Sequence, residues 1–248
     1  MAEPLLQIDN VVKRYGGLIA TDHLSLAIAD GELHALIGPN GAGKTTLISQ
    51  VTGEIRPDSG AILLRGRSLL HLGTAARTRL GLARTFQIVQ LLNEATALGN
   101  VAIAVAARHP TFDFWNRARN NAIESKALSY LAQAGLGERG ATLAANLSHG
   151  EQKQLELAIA LATQPRLLLL DEPLAGLGVA ESQRMIEILA GLKGRLTMLL
   201  VEHDLDAVYA LADRISVLVN GRLIATGGAE DIRSNAQVRD AYLGEDGA

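Results

Sequence analysis

The sequence predicts an α/β fold, a core of strands and helices interrupted by a helical segment. Three observations predict it. Short apolar runs bounded by polar residues recur on both sides of the chain's middle. One of them runs directly into a Gly-rich loop followed by a helical pattern. The stretch from about 90 to 160 shows helical spacing instead.

The first thirty residues read as strands: "LSLAIA" (24–29) alternates Leu24, Leu26 and Ile28 with smaller residues, and Asp30-Gly31 marks a turn. "ELHALIG" (32–38) is a buried strand entering the Gly-rich loop. "KTTLISQVTG" (44–53) is a helix with Leu47, Ile48 and Val51 on its apolar face, and Gly53 can close it. "PDSG" (57–60) is a turn and "AILLRG" (61–66) a further strand. "ALGNVAIAVAA" and "NNAIESKALSYLAQAGL" are helices, with "RHPTFDFWNRARN" (108–120) an exposed connection. "LSHGEQKQ" (147–154) opens another, with Ser148 as N-cap and Glu151 three residues on. "RLLLLDE" and "LTMLLVEH" suit strands covered on both faces. "ISVLV" and "GRLIATG" form a hairpin through Asn220-Gly221, and the tail holds one or two short helices.

Composition narrows the class. The 248 residues are 48% apolar but only 3% aromatic, so the core is built from Leu, Ala, Val and Ile. There is no cysteine, which excludes disulfides and Cys-ligated metal. A net charge of −3 supplies no basic field for nucleic acid, so no nucleic-acid partner is expected. "MAEPLLQIDN" lacks the pattern of a signal peptide, and no apolar run reaches the roughly 20 residues of a membrane span. A soluble chain in the cytoplasm is expected, with any membrane role coming through a partner.

"GPNGAGKT" (38–45) matches G-x-x-x-x-G-K-[ST]. Gly38, Gly41 and Gly43 let the backbone curl around Pro39, Asn40 and Ala42, so that successive N–H groups face one phosphate chain. Lys44 adds a charge for the outer phosphates, Thr45 offers a hydroxyl to Mg²⁺, and the helix running on through Thr46 aims its N-terminus at the same place. Asp171, at the end of the "LLLLDE" strand, can reach the metal. Glu172 can orient a water beside the γ-phosphate and accept its proton.

In order and spacing, "GPNGAGKTT", the Gln of "RTFQ", "LSHGE", "LLLLDEP" and "VEHD" resemble the ATP-binding subunit of ABC transporters. The resemblance implies a P-loop (RecA-like) nucleotide-binding domain with an antiparallel β subdomain and an inserted helical subdomain. As one domain it divides into 1–88 and 164–234 (RecA-like and β core), 89–163 (helical) and 235–248 (tail). It implies ATP and Mg²⁺ as ligands and two ATPase subunits that sandwich two ATP molecules head to tail. Ser148, Gly150 and Glu151 then cap the γ-phosphate bound to the partner. Tyr15 matches the adenine-stacking aromatic, Gln87 the residue sensing Mg²⁺ and the attacking water, and His203 the switch histidine at the γ-phosphate.

Three positions depart from the family pattern: His149 replaces a second Gly, Glu151 a frequent Gln, and Gly178 an Asp that crosses the dimer interface. "ARTFQ", "LSHGEQKQLELAIAL" and "VRDAYLGED" look most like ATPases of branched-chain amino-acid importers. Urea or short-amide importers, the lipopolysaccharide exporter and a non-transport ABC ATPase are the alternatives. The implied partners are a second ATPase subunit, identical or related, two permease chains and, indirectly, a solute-binding protein. The implied location is peripheral, on the inner face of the cell membrane through the permeases.

Overall fold

The computed structural model describes residues 3–85, 91–108 and 117–243. In chain order the strands are β1 (Leu6–Tyr15), β2 (Leu18–Ile28), β3 (Leu33–Ile37), β4 (Ser59–Leu64), β5 (Arg67–Ser68), β6 (Leu82–Arg84), β7 (Leu167–Asp171), β8 (Thr197–Val201), β9 (Arg214–Val219) and β10 (Arg222–Gly227). The α-helices are α1 (Lys44–Thr52), α2 (Thr74–Arg79), α3 (Ala97–Ala107), α4 (Arg117–Gln133), α5 (His149–Ala162), α6 (Val179–Leu192), α7 (Leu205–Leu211), α8 (Ala229–Ser234) and α9 (Ala236–Leu243). No helix among the described residues is long and apolar enough to cross a membrane.

The chain forms two compact units. The first comprises Met1–Leu82, Arg166–Glu172 and Leu192–Ala248. It carries an antiparallel sheet in the order β2-β1-β4-β5 and the strands β10-β9-β3-β8-β7 of a mixed sheet whose last strand, β6, begins at Leu82. In the mixed sheet β3 runs parallel to both β8 and β9, and β7 parallel to β8. Every residue of β3, β7 and β8 is buried, which is why these strands read as near-continuous apolar runs, interrupted inside β3 by buried His34.

Alternation within β3 still decides which core each side chain joins. Leu36 packs in a cluster with Leu47, Ile48 and Val51 of α1, Leu169, Val201 and the inward residues of the antiparallel sheet. Ala35 and Ile37 face the opposite cluster, with Val208, Ile215, Val217, Ile232 and Val238. The β9–β10 hairpin turns through Asn220 and Gly221, at φ 48° and 79°. Two successive left-handed residues match the right-handed twist of a two-residue hairpin.

α1 ends where the sequence says it should, at Gly53 with φ 90°. Its last carbonyls are also held by a residue with no sequence signal. Buried Arg77 of α2 donates to Gln50 O and Val51 O at 2.7 Å and to Leu72 O at 2.8 Å.

The second unit comprises Ala83–Pro165 and Pro173–Gly191. α3, α4 and α5 meet over Ala97, Val101, Val105, Ala127, Leu131, Leu155 and Ala158, an alanine-rich core. α4 begins at Arg117, inside the stretch expected to be a connection, so residues 117–120 are helical. Thr96 caps α3 by accepting from Gly99 N at 3.0 Å. Asn100 latches the entering chain: its Oδ1 accepts from Leu92 N and its Nδ2 donates to Leu92 O.

Candidate functional site

Parallel register brings the sequence-predicted residues of the first unit to one edge. Leu36 lies opposite Val201, and Val201 opposite Asp171. The three strands therefore end side by side, and each leads into a candidate group. After β3 comes the Gly-rich loop, after β7 Glu172, and after β8 Glu202 and His203. This is the carboxyl end of a parallel sheet, where such folds bind ligands.

The loop is shaped by close backbone approach. Gly38 has φ 151°, and a Cβ there would lie 2.0 Å from Leu218 O. A Cβ on Gly43, at φ 107°, would lie 2.2 Å from Ala20 O. Neither site has room for any other residue. Gly43 is the N-cap of α1 and offers no side chain to its first-turn N–H groups, unlike Thr96, Ser148 and Asp204 on α3, α5 and α7. Those donors have no acceptor within the helix, and an anion is what they fit.

Lys44 is buried and folds inward, its ammonium donating to Gly38 O and, at 2.9 Å, to Pro39 O. The positive charge thus sits within the loop's curl. Thr45 is exposed beside it, and Thr46 half-buried. Tyr15, 47% exposed, ends β1 opposite Leu18, with Lys13 Nζ 5.5 Å from its ring centroid. It belongs to the same hairpin as Ala20, whose carbonyl touches the loop.

Asp171 is 3% exposed at the end of β7. Glu172 leaves the strand at φ 49°, its N–H donating to Val201 O at 2.9 Å. A left-handed non-glycine residue here turns the chain out of the sheet and re-aims the carboxylate, a local strain typical of functional positions. The His203 side chain is 65% exposed, while that of Glu202 is fully buried. Glu202 accepts from His203 N at 3.1 Å, and its carboxylate lies 3.7 Å from His203 Nδ1. Position 202 stands within "VEHD", but nothing in the sequence distinguishes it from a solvated carboxylate. Gln87 lies outside the described residues.

Ser148, Gly150 and Glu151 belong to the second unit. The capping box read from sequence is formed: Ser148 Oγ accepts from Glu151 N at 3.2 Å, and Glu151 Oε2 accepts from Ser148 N at 2.9 Å. Partial burial pulls the Glu151 carboxyl upward, but the Arg139 guanidinium and the Ser148 N–H outweigh it and hold it below the usual range.

Sequence reasoning missed Glu181. Ser148 Oγ donates to its Oε1 at 3.2 Å, Gly178 N donates to its Oε2 at 3.3 Å, and a Cβ on Gly150 would lie 2.6 Å from its Cδ. Thirty-three residues separate Glu181 from Ser148, so no local pattern could reveal the pair.

The family model described as ABC transporter matches residues 21–175, and that of the branched-chain amino acid ATP-binding cassette transporter matches residues 222–248. The chain is 40% identical to the high-affinity branched-chain amino acid transport ATP-binding protein LivG of Escherichia coli, over 99% of this chain and all of that one. It is 37% identical to BraF of Pseudomonas aeruginosa, over 99% and 100% of the two chains. Among solved structures it is similar to the ADP conformation of MJ1267, an ATP-binding cassette of an ABC transporter. The TM-score is 0.84 at 29% identity, covering 98% of this chain and 100% of that one. A dimeric post-hydrolysis state of the cassette MJ0796 bound to ADP and Pi matches with TM-score 0.78 at 25% identity, covering 90% and 98%. These relatives favour the amino-acid branch over the urea, lipopolysaccharide and non-transport alternatives. A Gly-rich loop after β3, carried on this fold, accords with those likenesses: the chain belongs to the ABC transporter family, as one of its ATP-binding, ATP-hydrolysing subunits.

Proposed function

We propose that this chain binds MgATP at residues 38–46 and hydrolyses it to drive uptake of branched-chain amino acids through two permease subunits. The observation that supports the catalytic part is the register Leu36–Val201–Asp171, which aligns the ends of the three strands that lead into residues 38–46, Glu172 and His203. The solute follows from likeness to LivG and BraF. The permeases hold the subunit at the inner face of the membrane, with a solute-binding protein acting indirectly. The division into a core of 1–88 and 164–234, a helical insert of 89–163 and a tail of 235–248 belongs to the same reading.

Lys44, at the centre of the loop, exchanges the carbonyls of Gly38 and Pro39 for the outer phosphates. Mg²⁺ supplies charge neutralisation on the phosphate oxygens, and the Thr45 hydroxyl and buried Asp171 are the residues that would hold it, joined by Gln87. A carboxylate and a hydroxyl are hard oxygen ligands suited to that ion. Glu172 orients a water and takes its proton as the water oxygen bonds to the γ-phosphorus and ADP departs. His203 donates to the γ-phosphate, its backbone anchored by Glu202. Tyr15 stacks on the adenine.

Ser148, Gly150 and Glu151 complete the site of a second ATPase subunit, either identical or related. In the isolated chain Glu181 occupies the Ser148 hydroxyl, so a partner's γ-phosphate displaces this carboxylate as it docks.

Two variants test the reading. Lys44→Ala is expected to abolish tight MgATP binding by calorimetry, and unchanged affinity overturns the loop assignment. Glu172→Gln is expected to keep ATP affinity while turnover falls roughly 10²–10⁴-fold, because an amide cannot take the proton. A variant that retains most of the wild-type turnover places the base elsewhere.

A further inference from the structure

The phosphate loop is joined to the β9–β10 hairpin by a hydrogen bond that no sequence motif contains. Gly221 N donates to Ala42 O at 2.9 Å. Ala42 precedes Gly43, and in a planar trans peptide the C=O and the following N–H point in opposite directions. Tethering the Ala42 carbonyl to Gly221 therefore fixes the Gly43 N–H to point away from the hairpin. That N–H is one of the donors at the start of α1.

The hairpin turn is itself tied to β2. Asp22 N donates to Gly221 O at 2.8 Å. The Asp22 side chain, only 11% exposed, takes Arg222 Nε and Nη2 on Oδ2, both at 2.7 Å. Its Oδ1 takes His23 Nδ1 at 2.7 Å. Two residues before Asp22, the Ala20 carbonyl closes against Gly43, and a Cβ on Gly221 would lie 3.1 Å from that same carbonyl. β2, the turn and the loop thus share one set of backbone contacts, and the Arg222–Asp22 pair clasps it from outside.

We propose that Arg222 is a positioning residue for nucleotide binding, acting through Asp22 and the Asn220–Gly221 turn to hold the phosphate loop in its binding conformation. In this role Arg222 acts through Asp22 and the turn and not by touching the nucleotide. It raises the fraction of chains whose Ala42–Gly43 peptide already faces correctly, and apparent affinity scales with that fraction. Arg222 is the open member of the pair, its side chain 69% exposed, so its loss contributes little to global stability and the effect belongs in affinity and not in unfolding. The inference rests on the reading of residues 38–46 as the nucleotide loop.

The test uses the full chain. MgADP affinity by calorimetry, KM and kcat for MgATP, and the thermal midpoint are measured for Arg222→Ala, Asp22→Ala, the double variant and Arg222→Lys. Each single alanine variant is expected to raise Kd and KM about three- to fivefold, with kcat within about twofold of wild type and the midpoint little changed. The double variant is expected to be no worse than either single one, because both break the same pair. Arg222→Lys, which keeps the charge but not the fork, recovers part of the affinity. Unchanged Kd and KM in both single variants, or a lowered midpoint with affinity intact, overturns the proposal, as does an additive double variant. If Asp22→Ala proves unstable, Asp22→Asn carries the same expectation. Lys44→Ala run alongside separates the two levels. Normal nucleotide binding by that variant removes the loop reading and this inference together, whereas its loss with Arg222→Ala unaffected removes this inference alone.

Discussion

Glu181 shows how one side chain can set the state of a site. Its carboxylate takes the Ser148 hydroxyl and the Gly178 N–H and lies so close to Gly150 that a Cβ there would push it aside. A carboxylate at the N-terminus of α5 is stabilised by the helix dipole and resembles, in charge and in acceptor atoms, the phosphate expected from a partner. On the proposed reading it competes with that phosphate. In a Glu172→Gln background, which retains ATP, Glu181→Gln is expected to tighten ATP-dependent association several-fold by removing the charge while leaving a similar shape. Sedimentation across protein concentration reads this directly, and association that is unchanged or weaker shows that Glu181 supports the site instead of guarding it. Glu172 makes a complementary point: its left-handed backbone is set by the need for the chain to leave the sheet after Asp171.

At the scale of elements, α1 is a short helix with a demand at each end. Its N-terminus is left without a side-chain cap, at Gly43. Its C-terminus is secured by Gly53 and by Arg77, whose guanidinium satisfies the carbonyls of Gln50 and Val51. Burial pushes the Arg77 pKa down, yet the charge stays because three carbonyls receive it. Removing it leaves buried acceptors without a donor, a cost of about 1–3 kcal/mol for each such group. Arg77→Ala is expected to lower unfolding free energy by about 2–4 kcal/mol in urea titration, with ATP affinity of the folded fraction near wild type. A loss below about 0.5 kcal/mol shows that water replaces the guanidinium at those carbonyls.

At the scale of the whole molecule, the proposed anion-binding groups fall in two units of one chain, with the Gly-rich loop in the first and Ser148 in the second. If the second serves a partner's nucleotide, its effect depends on association. Glu172→Gln with MgATP is expected to run at about twice the chain mass of 26.2 kDa, and ADP is not expected to support the dimer. Adding Ser148→Arg is expected to abolish the dimer while leaving the monomer's ATP affinity intact. Destruction of monomer binding by Ser148→Arg assigns both anion sites to one subunit. Where the chain pairs with a sister ATPase, the same comparison is made on the mixed complex.

The Gly-rich loop running out of a buried strand, the strand–helix alternation and the Ser148 capping box were legible in the linear chain, because the sequence signal for each is local. Gly38 and Gly43 mark a curled backbone, Leu167–Leu170 a strand buried on both faces, and Ser148 with Glu151 a helix start. Partners far apart in the chain were not legible. Arg77 reads as a surface charge until α2 lays it on the end of α1, and residues 117–120 read as a connection although they begin α4. Glu181, Arg222 and Asp22 are ordinary exposed charges by composition and acquire roles only when distant segments meet. The physical reason is range. Propensity, capping and periodicity act along a turn or a strand, whereas the direction of a tethered peptide or the filling of an anion site depends on which segments packing has brought within about 3 Å of each other.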